Sequence, residues 1–337
     1  MVQARENYLG NPNLKRANVS QEFTPEQVAE FVKCAQDPLH FIKTHIQIVN
    51  VDEGLIPFNL YDFQEDIVNL IQAERFVILW YLMFHESFSI AILAHKSQQS
   101  REILSRISLA YEHLPRWMQL GVVEWNKGNV ELENGSKILA ASTSASAIRG
   151  GSFNLIYLDE FAFVPTHIQE EFFASVYPTI SSGKTSKVLV TSTPNGLNLF
   201  YKIWNDSENG HNDYKRIDVH WSDVPGRDEK WKEQTIRNTS EDQFRVEFEC
   251  EFIGSSNTLI SPTTLKRLVY NRPIWENEST RIYAQPQMDH VYFLLVDTAR
   301  GVNKDASAII ALDVTETPAT VVAVYQDNEI SPFNFPQ

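Results

Sequence analysis

The chain has 337 residues and a mass of 38.7 kDa, long enough for two domains of ~100–200 residues each. Its 43% hydrophobic and 12% aromatic content, with only 21% charged residues, excludes a largely disordered protein. The 43 acidic against 29 basic residues leave a net charge of −14, which argues against wholesale coating of phosphates but leaves room for an enzyme with a local basic groove.

Residues 1–22 are polar, lack the apolar core of a signal peptide, and read as a flexible lead-in. Thr24-Pro25-Glu26-Gln27 then combines an N-cap, a proline at the first helical position and a glutamine that completes a capping box, so a helix starts here. Cys34, with Cys250, makes up the whole cysteine complement; without a CxxC this suggests neither a disulfide framework nor a zinc pattern, and a reducing cytosol is the natural compartment. Asp62 to Ile71 reads as an amphipathic helix. Phe76 to Ala94 is almost continuously apolar, but His85 and Glu86 at its middle make a membrane span costly, and two buried strands or a strand followed by a helix are expected instead. Ser97 to Leu114 has the length and pattern of a long helix. Val130 to Leu139 alternates on both sides of Asn134-Gly135, the strongest hairpin signal in the chain.

From Phe153 to Asp159 and from Lys187 to Thr193 the apolar residues become continuous and β-branched, as in strands buried on both faces of a parallel sheet. The first of these runs delivers Asp159 and Glu160 at its C-terminal end, the edge where ligands bind in open α/β sheets. Nucleotide hydrolysis needs one carboxylate there to hold Mg²⁺ and a second to orient water, and Asp159 and Glu160 fit those roles in that order. The second run ends in Thr191-Ser192-Thr193-Pro194-Asn195-Gly196, hydroxyls suited to sensing a γ-phosphate. Residues 200–250 are polar and aromatic and read as helices and loops. Gly, Ser and Pro mark a boundary over 256–287, and three strands follow at 291–296, 307–314 and 320–325.

Six motifs in order carry a resemblance: Tyr61-Asp62-Phe63-Gln64, Ile92-Leu93-Ala94-His95-Lys96, Gly121 to Gly128, Ile148 to Phe153, Leu158 to Phe163, and Thr191 to Gly196. Each is weak alone, but together they closely resemble the large terminase subunit of T-even-type tailed bacteriophages. The resemblance implies an α/β fold with a mostly parallel sheet of the P-loop NTPase type over 23–255, followed by the first strands of an RNase H-like nuclease over 288–337. It implies that Phe63 and Gln64 lie near the adenine of ATP, that Asp159 is the Walker B aspartate and Mg²⁺ ligand, that Glu160 is the catalytic glutamate, and that Thr191, Ser192 and Thr193 form the coupling motif. It also implies double-stranded viral DNA, the portal protein and the small terminase subunit as partners, a ring of copies on the portal, and a place in the host cytoplasm and transiently at the prohead, with no membrane. Arg149 sits in a family-like loop without an assigned role.

The phosphate cradle that such an ATPase needs is missing. No G-x-x-x-x-G-K-[ST] occurs, and Gly183-Lys184-Thr185 precedes a strand instead of following one. With a strand expected at Phe76–Leu79, the loop belongs at 80–89, where the eight residues Tyr81 to Phe88 are fewer than the ~10–12 of a crossover. The expectation is an internal loss and no appreciable ATP hydrolysis. Phe293 to Gly301, with Asp297 at the end of an apolar run, resembles the opening of the terminase nuclease; Asp297 matches its first metal-binding aspartate and Asp305 is a possible second ligand. The other carboxylates of a two-metal site are absent from the sequence, so cutting is not expected either. Two alternatives stand beside this one: a non-enzymatic product that only binds portal or small subunit, and another helicase-like DExx ATPase.

Overall fold

The computed structural model describes residues 6–71, 75–144, 146–181, 186–253, 272–299 and 306–328. It divides into two units, Met1–Thr263 and Thr264–Gln337. The first unit opens with helices α1 (Pro25–Gln36) and α2 (Pro38–His45), a small hairpin of β1 (Gln47–Asn50) and β2 (Gly54–Pro57), and helices α3 (Asp62–Ile71) and α4 (Arg75–Phe84). Then come β3 (Ser89–Ala94), α5 (Ser97–Glu112), β4 (Val122–Trp125), β5 (Asn129–Leu132), β6 (Lys137–Ser142), β7 (Leu155–Asp159), α6 (Thr166–Ser181) and β8 (Lys187–Val190). Helices α7 (Leu199–Glu208), α8 (Glu229–Asn238) and α9 (Glu241–Glu247) complete it.

Local chemistry accounts for the helix starts. Thr24 and Gln27 form the capping box expected at α1, and Asp37 accepts from the His40 amide to start α2. The two helices are tied by Glu30, whose Oε1 lies 2.8 Å from Nε2 of both His40 and His45. His45 in the first place, then His40 and Cys34, hold the Glu30 carboxyl down to about 2, while burial and that same carboxylate push the Cys34 thiol up to about 12.

The central sheet has the order β4-β5-β6-β3-β7-β8. The pairs β6/β3, β3/β7 and β7/β8 are parallel, and β4/β5 and β5/β6 are antiparallel, so the sheet is mixed and mostly parallel, as the apolar runs imply. Every residue of β7 and all of β3 except Ser89 are buried. One core lies on the side of α2, α4 and α5, and a second joins β3 and β7 to α6 and α7.

Several expectations change. Phe76–Leu79 is not a strand: it belongs to helix α4, and the strand of the apolar run is β3. A continuous apolar run does not distinguish a buried strand from a helix buried all round. Here ten residues without Gly or Pro form three turns, and Val77 to Met83 are all nearly inaccessible. Among the described residues no helix is long and apolar enough to cross a membrane. Residues 6–18, read as a loose lead-in, are pinned instead. Leu14 is buried, Val122 and Lys15 pair through their backbones, Arg116 donates to Glu6 O and Asn7 Oδ1, and the Glu133 carboxylate accepts from the Gly121 and Asn18 amides. The strand from Lys187 ends at Val190, short of Thr191. Gly183-Lys184-Thr185 lies outside the described residues.

In the second unit, β9 (Trp275–Glu276), β10 (Thr280–Ile282), β11 (Tyr292–Asp297), β12 (Ser307–Asp313) and β13 (Thr320–Asp327) form an antiparallel sheet of order β11-β12-β13-β10-β9. The three expected strands are present, and β9 and β10 lie inside the stretch read as a linker.

Candidate functional site

Strands β6, β3, β7 and β8 run parallel side by side, so their C-terminal ends share one edge of the sheet. Thr143, His95, Asp159 with Glu160, and Thr191 stand there, each at or just past the end of its strand. Asp159 is buried, and its Oδ1 accepts from Tyr157 Oη at 2.9 Å and from Thr191 Oγ1 at 2.9 Å. Tyr157 reaches it because residues two apart in a strand share a face. The Thr191 and Tyr157 hydroxyls are 3.1 Å apart, which closes a triangle around one carboxylate oxygen. A buried carboxylate held by two neutral hydroxyls stays oriented at this edge.

The chain reverses sharply after Asp159. Glu160 adopts φ 51° and ψ 41°, a left-handed conformation that non-glycine residues rarely take and that costs of order 1–3 kcal/mol. Bonds from the β8 exit hold it there: the Phe161 amide donates to Thr191 O at 3.2 Å, and the Ala162 amide to Ser192 Oγ at 3.1 Å. Asn195 and Asn198 both donate to Ala162 O, and Gln169 donates to Phe161 O and Val164 O. The turn that carries Glu160 is therefore bolted to the segment 191–198.

This edge brings together four of the sequence-derived residues, Asp159, Glu160, Thr191 and Ser192; Thr193 follows them in the chain, half-buried. Phe63 and Gln64 are placed on α3. Gln64 Oε1 accepts from the Tyr61 amide at 2.9 Å, so it caps its own helix, and the Phe63 ring stacks on Tyr61 at 5.7 Å. Asp297 ends β11 in the other unit, exposed, and Asp305 lies outside the described residues. Arg149 is in a turn at 146–150.

Tyr157 and Thr143 at this edge were not singled out from the sequence, and His95 was quoted only within a motif. Tyr157 was hidden inside an apolar run, where only its i−2 spacing from Asp159 gives it away. His95 Nδ1 and Thr143 Oγ1 are buried without a hydrogen-bond partner among the described residues, which is the signature of polar groups waiting for a ligand or water.

A divalent cation fits this chemistry, since Asp159 is a fixed, buried carboxylate with orphaned polar atoms along the same edge. A triphosphate does not fit equally well. A Gly-rich cradle is an eight-residue loop between a strand and a helix. No such segment occurs in the sequence between α3 and β3, and the four residues 85–88 that join α4 to β3 are too few to hold one.

The profile of the family described as "Terminase large subunit, T4likevirus-type, N-terminal" matches residues 74–267. The chain is 27% identical over 183 residues to the terminase large subunit of Thermus phage G20c, and 28% identical over 183 residues to that of Thermus virus P23-45. Each match covers 50% of this chain and 36% of the relative, so the chain spans about a third of the length of these relatives. The crystal structure of the HK97 bacteriophage large terminase is similar in fold, with a TM-score of 0.51 and 16% identity over 86% of this chain and 67% of that one. A family match over more than half of the sequence shows that the chain belongs to the terminase large-subunit family.

Proposed function

We propose that the protein is the body of a DNA-packaging motor of T-even type, with Asp159 as the Walker B carboxylate that holds Mg²⁺ and Glu160 as the group that orients water. Thr191 and Ser192 are the coupling elements in this reading, with Thr193 beside them. The observation that carries it is the Thr191 hydroxyl on Asp159 Oδ1, together with the Ser192 hydroxyl on the Ala162 amide. A change in what Asp159 holds is felt at once by the segment after β8, which is what coupling requires. ATP, double-stranded viral DNA, the portal protein and the small terminase subunit are the ligands and partners that follow, with action in the host cytoplasm and at the prohead.

The same reading holds that this chain does not turn over ATP by itself. In this reading the strand and phosphate loop would belong before helix Arg75–Phe84, which leads into β3, and not at 80–89. Phe63 and Gln64 would then face no positioned nucleotide, and Gln64 already spends its oxygen on its own helix. Purified protein with Mg²⁺ and ATP should release phosphate no faster than Glu160→Gln. Mg²⁺-dependent hydrolysis that the Glu160→Gln change removes would overturn this.

Asp297 is proposed as a nuclease metal ligand on the family resemblance, with Asp305 as its possible companion. Among the described residues Asp297 belongs to no group of three ligand-bearing side chains. Plasmid nicking with Mn²⁺ is therefore not expected, and nicking abolished by Asp297→Ala would sink that statement. If the chain has only a binding role, portal or small subunit should be retained by it equally well after Asp159→Asn.

A further inference from the structure

Helices α1 and α2 carry a side-chain cluster that the β7 edge does not use. Glu30 and Cys34 are four residues apart in α1 and share a face. His40 and His45 of α2 turn their Nε2 atoms to the same Glu30 oxygen, each at 2.8 Å, and Cys34 Sγ lies 3.4 Å from it. The Glu30, Cys34 and His45 ligand atoms are all within 4.8 Å of one another. Three donors thus converge on one carboxylate oxygen, which has about two lone-pair directions to offer. A cation at the point of convergence would satisfy all four groups better than the oxygen satisfies three.

We propose that Glu30, Cys34, His40 and His45 bind one zinc ion, which clips α1 to α2. One thiolate, two imidazoles and one carboxylate form a borderline-soft donor set that suits Zn²⁺ and disfavours Mg²⁺ and Ca²⁺. Zinc bonds of ~2.0–2.3 Å put tetrahedral corners roughly 3.3–3.8 Å apart, so small side-chain rotations close the spacing of Glu30, Cys34 and His45, while His40, whose Nε2 lies 2.8 Å from Glu30 Oε1 but outside that group of three, swings further to complete the set. Four protein ligands leave no open position, so the ion is structural. Its surroundings are already braced: Trp80 Nε1 donates to Cys34 O at 2.8 Å, and the His45 ring packs against Phe41 and Trp117. Thr44 Oγ1 lies 3.4 Å from His40 Nδ1, placed to accept its proton once Nε2 turns to the metal. The Cys34 side is closed, while the His45, His40 and Glu30 side chains retain 11%, 19% and 29% exposure, which gives an ion a way in. On binding, the sulfur–metal bond forms and the thiol proton leaves to solvent; each imidazole exchanges its Nε2 proton through solvent for the Nδ1–H tautomer, or releases it if doubly protonated, and binds through the freed Nε2 lone pair.

The test uses the whole chain, stripped of metal and titrated with Co²⁺ and then Zn²⁺. About one equivalent of Co²⁺ should produce thiolate-to-cobalt charge-transfer absorption, which Zn²⁺ removes and excess Mg²⁺ leaves unchanged. Cys34→Ser should abolish the band and Cys250→Ser should keep it. His45→Gln should weaken Co²⁺ affinity about tenfold or more. Zn²⁺ should raise the unfolding midpoint of the unmodified chain. A missing band in the unmodified protein, which needs no variant to fold, overturns the proposal, as does a band that survives Cys34→Ser. Neither result bears on the ATPase reading, which rests on other residues.

Discussion

At the scale of single residues, the strongest commitments are Thr191 and Glu160. Thr191→Val removes the hydroxyl from Asp159 while keeping the shape, and should cost about 1 kcal/mol in urea unfolding, since one bond is lost and the carboxylate keeps Tyr157. Glu160 sits in the left-handed region, where Asn is tolerated and a β-branched residue is not. Glu160→Val should therefore be about 1 kcal/mol less stable than Glu160→Asn, although both lose the carboxylate. In the second unit, Asp313 raises the His290 pKa above 6.5, and His290 with Thr315 brings Asp313 from 3.8 down to about 2. The His290 contribution is complete below 6.5 and fades as pH rises through the raised value; that of Asp313 is present above 3.8 and fades as pH falls toward 2. The pair is thus strongest at pH ~4–6.5, and an NMR titration of His290 should lose its upward shift in Asp313→Asn. The sequence made Asp159, Glu160 and the hydroxyls after β8 visible, because each follows an apolar run that must end at a sheet edge. It hid Tyr157 and Thr143, because a polar atom inside an apolar or ordinary stretch has no periodic signature.

At the scale of elements, α4 shows how a tertiary contact decides an end. Asn134, in the hairpin turn, donates to Leu82 O at 2.9 Å and His85 O at 2.8 Å, and Ser136 Oγ donates to His85 O at 2.7 Å. The hairpin turn between β5 and β6 therefore satisfies carbonyls at the end of α4 that would otherwise be orphaned. Asn134→Ala should cost about 1–2 kcal/mol in equilibrium unfolding, more than Asn126→Ala in the exposed turn between β4 and β5. The Asn-Gly pair announced the turn from sequence, with Gly135 at φ 78° as a tight reversal demands. Its service to a helix about fifty residues earlier could not be read from it.

At the scale of the molecule, the two units differ in how much they bury. The first unit has cores on both faces of the sheet, whereas Val322 is the buried hydrophobic residue among the described residues of the second. On β11, at the edge of its sheet, Phe293, Leu294, Leu295 and Val296 are 47–60% exposed. Amide hydrogen exchange should be slowest in β3 and β7 and much faster in β11. Exposed apolar edge strands invite pairing between chains, so Leu294→Lys should shift sedimentation velocity profiles toward the monomer.

The sequence by itself determined the class of fold, the parallel strands, the hairpin and the acid pair, because apolar period, caps and turn residues are local quantities that must agree with the backbone they specify. It also showed that no G-x-x-x-x-G-K-[ST] motif occurs in these residues. Only the tertiary structure decided that the apolar run at 75–84 is a helix, because a run buried on all sides satisfies strand and helix equally until its neighbours are in place. The convergence of Glu30, Cys34, His40 and His45 was likewise decided in three dimensions, since two short helices meeting at an angle set distances that spacing along the chain leaves open.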